Sequence, residues 1–578
     1  MKKMKRYEWD IFIHNNLNVA ILFCSYSFMF FYLILKLVAR AQHSFLNYGF
    51  ILRYLCYFSY FHFPIMFLLS INYFSLVDKV GLKETIMNSN MRKMEKNQFF
   101  LLHCINLIVV FLLIMYVCFG FLYLYGLHNI KWNGFWRNIL TVIVDYGLIG
   151  VIAIYFGNLL SKIVNKKAKI IMFLLVNFII GFPLYYLCYN KSFFERGSGF
   201  WQLGEMIAIL PEGLNTMTNG YSPFPVQPHR VALILTWIFL LYTVYQLYYL
   251  KKSKSEIVPV IFGVVITLVM FCLTLLPYTP INYGSRISSE YAHRKREEYD
   301  GWEIGRRNED AGFRVLRYEM DLSAVFHLSA KVTMDLDQQD LSEYKFTLYR
   351  EYDIAKVTDQ NGNALSYIRE GDYFTVYPDG SPVTNIYIEY SGSGEPFCSD
   401  LSTIHLPSGF AFYPMAGYHP IYEDERNGAD MYHRIHLPDT TEYHVTIHTF
   451  GTVYSSLNRE KGNSFSGVSD GFFLLKGLVE TDIIDGITFY YPPNYPLDGN
   501  FAEWREMEKN FITQLNAIYE DYEELDSIQE GTIIVMDWTY FNFFELSSVF
   551  RDHITAIYFS AAGAYEEEFR EFYSYNYH

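Results

Sequence analysis

Glu442, His444 and His448 stand in the run EYHVTIHTF, a carboxylate and two imidazoles close enough in sequence to suggest a divalent metal site. The zinc motif H-E-x-x-H works because histidines at i and i+4 of a helix share one face. Here Val445, Ile447 and Thr449 alternate with His444, Thr446 and His448, and the β-branched residues predict a strand. Four strand steps of about 3.3 Å separate the two histidine Cα atoms by roughly 13 Å. Zinc takes nitrogen ligands at about 2 Å, so the pair cannot close on one ion without a sharp bulge. The expectation is a strand with solvated histidines, with no catalytic residue, no metal ligand and no cofactor assigned.

Two other groups of residues could carry function, and both lie in apolar surroundings. Asp145 sits inside a long apolar run, where a carboxylate is costly and marks either a transport pathway or a hydrogen bond between helices. Lys83, Glu84, Ile86 and Met87, followed by Arg92 and Lys93, form a short amphipathic stretch between two apolar runs and could dock a soluble partner. The same lysines could instead enforce topology and attract anionic lipid, each worth about 1 kcal/mol near the surface.

The elements that must position these residues divide the chain of 578 residues into unlike halves. Apolar runs near 17–38, 49–76, 99–126, 138–160, 169–188, 231–250 and 257–278 are long enough for about seven crossings of a bilayer core of roughly 30 Å. Lys2, Lys3, Lys5 and Arg6 precede the first run. Lys79, Lys83, Arg92, Lys93 and Lys96 follow the second, Lys162, Lys166 and Lys167 the fourth, and Lys251, Lys252 and Lys254 the sixth. This bias predicts a cytoplasmic amino terminus and an extracytoplasmic carboxy-terminal half, in a multi-pass plasma-membrane protein. Ala39-Arg40-Ala41 resembles a signal-peptidase site, but the run before it is long and is read as an anchor. Residues 199–213 are apolar but short, which suits a re-entrant or interfacial helix.

Beyond residue 280 the pattern changes. Residues 281–317 are charged and read as a stalk; HRKREE is balanced in sign, which argues against nucleic acid. Residues 318–495 show short alternating segments with turn signals such as Asn361-Gly362 and Asp379-Gly380, predicting an antiparallel β-sandwich. Residues 496–578 read as a partial α/β extension, with Trp504, Met507, Phe511, Leu515, Ile518 and Tyr522 on one helical stripe and the apolar strand GTIIVMDW after it. Cys398 is the one cysteine of this half, so its core must hold by burial alone.

VTDQNGNALSY, NIYIEYSGSG, AFYPMAGYHP and YHVTIHTFGTVYSS together resemble the amino-terminal half of zinc-dependent aminopeptidases of the aminopeptidase N type, over roughly residues 318–540. That resemblance implies a supporting β-domain around His444 and His448. It does not supply a catalytic residue, because no H-E-x-x-H occurs in the chain, His553 stands alone, and Glu545 and Glu566-Glu567-Glu568 read as solvated charges. The apolar half is similar in arrangement to type-2 ABC export permeases, in which a cytoplasmic segment between the second and third spans docks on the ATPase. The chain has no G-x-x-x-x-G-K-[ST] loop, so that likeness implies a separate ATP-binding subunit. The leading expectation is a permease-like subunit in the lipid bilayer, acting on a peptide or lipid, with a non-catalytic exterior domain. The alternatives are a membrane-anchored, incomplete metallopeptidase ectoenzyme and a peptide-binding sensor.

Overall fold

A computed structural model of the protein describes residues 12–13, 15–40, 49–79, 88–125, 132–163, 165–180, 209, 228–250, 257–275, 307–325, 327–378, 380–392, 399, 403–423, 431–432, 435, 437, 439–491, 506, 509–510, 513, 531–535, 547–549 and 553–556. The chain divides into two compact units, Met1–Leu214 with Pro225–Leu276, and Asn215–Phe224 with Pro277–His578.

The first unit is helical. Its helices are α1 (Asn16–Arg40), α2 (Gly49–Lys79), α3 (Asn88–Tyr125), α4 (Trp132–Val142), a π-helical turn (Ile143–Leu148), α5 (Ile149–Ser161), α6 (Lys166–Ile180), α7 (Pro228–Leu250) and α8 (Ile257–Leu275). Side chains fix two of the starts. The Asn15 carboxamide oxygen accepts from the Leu17 and Asn18 amides, and that of Asn165 from the Lys167 and Ala168 amides, each satisfying donors that a first turn leaves open. Where α2 meets α5 the backbones come close, since a Cβ on Gly157 would stand 2.3 Å from Ser70 Cβ.

Each apolar run expected to cross a membrane is helical where it is described. Four helical stretches among the described residues are long and apolar enough to cross, namely Asn16–Val38, Glu95–Tyr123, Asn138–Ser161 and Val231–Tyr248, while Ile257–Cys272 is apolar but shorter. The expected seven crossings therefore reduce to four that length and composition support. Two boundaries also differ. α3 begins at Asn88 rather than 99, because NSNMRKMEKNQ contains no helix breaker and extends the helix into polar sequence. The run expected as one α-helix over 138–160 is interrupted by the π turn. The short helix expected at 199–213, apart from Ile209, and most of the stalk lie outside the described residues.

The second unit begins with β1 (Val315–Ala324), β2 (Leu328–Leu336), β3 (Tyr344–Thr347), β4 (Tyr352–Asp359), β5 (Ser366–Glu370), β6 (Tyr373–Tyr377) and β7 (Asn385–Gly392). A seven-stranded sheet runs Asn458–Arg459, Ser464–Ser469, Thr441–His448, β1, β2, β7, β4; a four-stranded sheet runs β5, β6, β3, Met415–Ala416. The expected antiparallel pattern fails at one place: β1 and Thr441–His448 pair in parallel, Arg317 opposite Glu442 through to Ser323 opposite His448. A parallel pair needs a long crossover, and the strands between β1 and Thr441 supply it.

Strict alternation gives the large sheet one core face. Tyr318, Met320 and Leu322 of β1 and Tyr443, Val445 and Ile447 beside it are buried, in one hydrophobic cluster with Phe346, Phe374 and Val376 of the smaller sheet. Segment 410–415, Phe410 and the first half of AFYPMAGYHP, is buried against this face. Its carbonyls are bonded by core tyrosines, with Tyr318 Oη donating to Pro414 O (2.8 Å) and Tyr390 Oη to Phe412 O (2.7 Å). Burial pushes the Tyr318, Tyr390 and Tyr413 hydroxyls well above the ordinary phenol range. At the Asn361-Gly362 turn Gly362 has φ +80°, and the Asp359 carboxylate accepts from the Asn361 and Asn363 amides.

Beyond this core, Glu480–Ile484, Ile487–Tyr491, Gly531–Val535, His553–Ala556 and Ser547–Val549 form a five-stranded sheet with parallel pairs at its centre. The expected apolar strand is thus Gly531–Val535. Of the expected helix carrying Trp504 and Phe511, residues 506, 509–510 and 513 are described and helical, while its apolar stripe, with Glu545, Glu566 and Cys398, lies outside the described residues.

His405, on strand Ile404–Leu406, is buried, and burial pulls its imidazole down to about 3. An unfolded histidine takes its proton near about 6.5, so this residue's contribution is present above that pH and is lost as pH falls toward the folded value. In urea titrations of the full chain, His405 is expected to remove about 1.4 kcal/mol of stability per pH unit between about pH 6 and about pH 4. His405→Gln should flatten that slope; an unchanged slope would contradict the burial.

Candidate functional site

The π turn carries sequence IVDYGL between two α-helical stretches. A π turn widens the backbone and turns carbonyls toward neighbouring groups; here Tyr146 O accepts from the Ile149 amide and, like Gly147 O, also meets a side chain of another helix. Two other helices supply these side chains, and a third supports one of them. His62 of α2 places Nε2 at 3.0 Å from Tyr146 O and 3.1 Å from Asn106 Oδ1. Asn106 of α3 donates from Nδ2 to Gly147 O at 2.9 Å. Tyr26 of α1 places Oη at 2.8 Å from His62 Nδ1, and Tyr146 Oη donates to Leu55 O at 2.5 Å.

This arrangement assigns the proton positions. Because Asn106 Nδ2 faces a carbonyl, its Oδ1 must face His62, and Nε2 then meets two oxygen acceptors and carries hydrogen. In the neutral ring Nδ1 is left to accept from the Tyr26 hydroxyl. His62, Asn106, Tyr26 and Tyr146 are all buried. Close approach is secured by Gly150, where a Cβ would lie 2.1 Å from Asn106 Oδ1.

Of the residues expected to matter, Asp145 is buried on this same turn, next to Tyr146. Lys83, Glu84, Ile86 and Met87 lie outside the described residues. Arg92 and Lys93 lie on α3, with side chains outside the description. Two residues further along α3, Glu95 stands 3.9 Å from Lys162 Nζ, which lies 3.8 Å from the Tyr248 ring centre. Neither His62 nor Asn106 was expected from the sequence. The available signal was a histidine in SYFHFPI and an asparagine in HCINLIV, polar residues inside apolar runs.

The histidines of the opening motif take separate partners. Thr441–His448 is a strand, as the alternation predicts, with His444 and His448 on its outer face. His444 Nε2 lies 2.9 Å from Glu442 and His448 Nε2 2.7 Å from Asp321. Glu442 is held below the usual carboxylate range by its bond to His444. Among the described residues no group of three His, Cys, Asp or Glu side chains is placed to hold a metal.

No family model and no curated protein matches the chain. Among solved structures, the M1 zinc metallopeptidase of Deinococcus radiodurans shares 14% identity, with a TM-score of 0.27 over 43% of this chain and 60% of that one. Leukotriene A4 hydrolase of Saccharomyces cerevisiae shares 14%, with a TM-score of 0.26 over 42% of this chain and 41% of that one. The chain thus spans less than two thirds of either relative, and no site residue is transferred from them.

If Gly150 exists to admit Asn106, the two positions must be coupled. Gly150→Ala is expected to lower the thermal midpoint of the detergent-solubilised chain, and to lower it much less when Asn106→Ala has removed the atom it would strike. Asn106→Leu alone should cost about 1–3 kcal/mol by removing the side-chain bonds to Gly147 O and His62. Strict additivity of Gly150→Ala and Asn106→Ala would contradict this packing.

Proposed function

We propose that the chain is a transport permease-like membrane subunit, driven by a separate ATP-binding chain and acting on a peptide or lipid substrate, with an extracytoplasmic β unit that performs no peptidase chemistry. The observation that supports this reading is the continuity of α3 from Arg92 to Asn106, a rise of about 21 Å at about 1.5 Å per residue. One rigid element therefore joins the stretch suited to docking with the polar cluster on the π turn. Glu95, Lys162 and Tyr248 tie α3 to α5 and α7 near its start, so displacement of the docking stretch would reach the turn through Asn106. A peptidase reading gains nothing from His444 and His448, each of which is bonded to its own carboxylate.

Two experiments address the parts of this proposal separately. For topology, single cysteines at Ser253 and Ser391 in the cysteine-free chain should label differently in intact cells, with only position 391 reached by an impermeant maleimide. Equal labelling would rule out the extracytoplasmic placement of the β unit. For docking, replacing Ile86 and Met87 together by Asp keeps every lysine and should abolish co-purification of the ATPase. Wild-type recovery of the ATPase would reduce the loop to a lipid anchor and remove the basis for the permease assignment.

A further inference from the structure

The β unit has a cavity of about 420 Å³ between the segment preceding β1 and the residues around Ala416, Leu437 and Asp439. That volume falls within the range of small-molecule sites. Its lining is of two kinds. The deep part is apolar, formed by Phe313, Val315 and Tyr318, all buried, with Ala416 and Leu437 beside them. The rim is charged, with the carboxylates of Asp337 and Asp439 beside the single guanidinium of Arg314 and Asp310 elsewhere on the lining.

The rim charges do not balance. Arg314 is already shared, with its backbone N–H and Nε on Asp337 (2.7 and 3.3 Å) and an Nη1 at 3.4 Å from Asp439. Those two carboxylates hold its guanidinium above its ordinary range. Asp310 accepts from the Gly312 amide at 3.2 Å. The lining thus holds one cation and three anions. His419, also on the wall, has Nε2 bonded to Ala416 O at 2.8 Å. Carboxylates alone would form a solvated rim, and a hydrated inorganic cation would leave the apolar floor uncovered. A ligand matching both parts carries positive charge at one end and an apolar body at the other.

We infer that this cavity is a binding site for an organic monocation with an apolar body, whose ammonium group sits among Asp310, Asp337 and Asp439 and whose body rests on Phe313, Val315 and Ala416. The ammonium replaces part of the demand that Arg314 alone now meets, and the apolar body displaces water from the floor. Specificity follows from the pairing, since an uncharged analogue of the same shape forgoes the rim and a small ammonium ion forgoes the floor.

The test uses the full chain in lipid nanodiscs, titrated calorimetrically with tryptamine and with tryptophol, which has the same indole body but a hydroxyl in place of the ammonium. Empty nanodiscs are subtracted. Tryptamine is expected to saturate one site and tryptophol to bind about tenfold more weakly or worse. Asp310→Asn and Asp439→Asn, both at exposed positions, should each weaken tryptamine by about fivefold and leave tryptophol unchanged. Ala416→Leu, which fills the floor, should abolish both. Equal affinity for the two compounds, no saturable tryptamine binding, or wild-type affinity in both Asp variants would each overturn the assignment. None of these outcomes bears on whether the helical unit engages an ATPase.

Discussion

A backbone carbonyl that cannot reach water must be given a donor, and in this chain that requirement governs the least regular parts of the structure. At the π turn of the helical unit, Tyr146 O and Gly147 O are taken up by His62 and Asn106. The full network closes only where α1, α2, α3 and the π turn meet, because Tyr26, His62, Asn106 and Tyr146 come from each in turn. The turn is therefore a property of the bundle, and a change in helix packing must be felt there first.

The β unit meets the same demand with different chemistry. Segment 410–415 is buried without being part of a long strand, and tyrosine hydroxyls serve its carbonyls. Arg369 likewise donates to the carbonyls of Leu348, Tyr349 and Tyr352, where the chain turns between β3 and β4. Arg350 and the fully buried Asp372 close a charge-assisted bond at 2.6 Å beside them. Tyrosine suits this work because its ring fills core volume while its hydroxyl reaches a backbone acceptor. The stacked Tyr318 and Tyr443 rings, 5.3 Å apart, belong to the two strands that pair in parallel, so Tyr318 both satisfies a carbonyl and packs across the join between β1 and Thr441–His448.

Periodic features were legible in the sequence, and features that depend on a neighbour were not. The alternation of Val445 and Ile447 with His444 and His448 reports directly which face each residue takes, and the strand carries them so. Long apolar runs announced helices, and Asn361-Gly362 announced a turn with positive φ. The parallel pairing of β1 left no local mark, since period two is the same in either direction. The π turn was equally silent, because IVDYGL is as apolar and helical in pattern as its flanks. Its cause lies in residues far away in sequence, His62 and Asn106. Asp145 lies on this turn, while the side chains bonded to the turn's carbonyls had to be found in space. The cavity beside Arg314 was hidden for the same reason, its walls coming from segments more than a hundred residues apart.

The central claim is that His62 and Asn106 hold the π turn in place through its carbonyls. Hydrogen exchange measured by mass spectrometry on peptides covering 138–155, in the full chain in lipid nanodiscs, tests it most directly. His62→Phe, which preserves the ring and removes both nitrogens, is predicted to speed exchange at 143–150 while leaving peptides from β1 and β2 unchanged. Exchange at 143–150 indistinguishable from that of the unaltered chain would contradict the account.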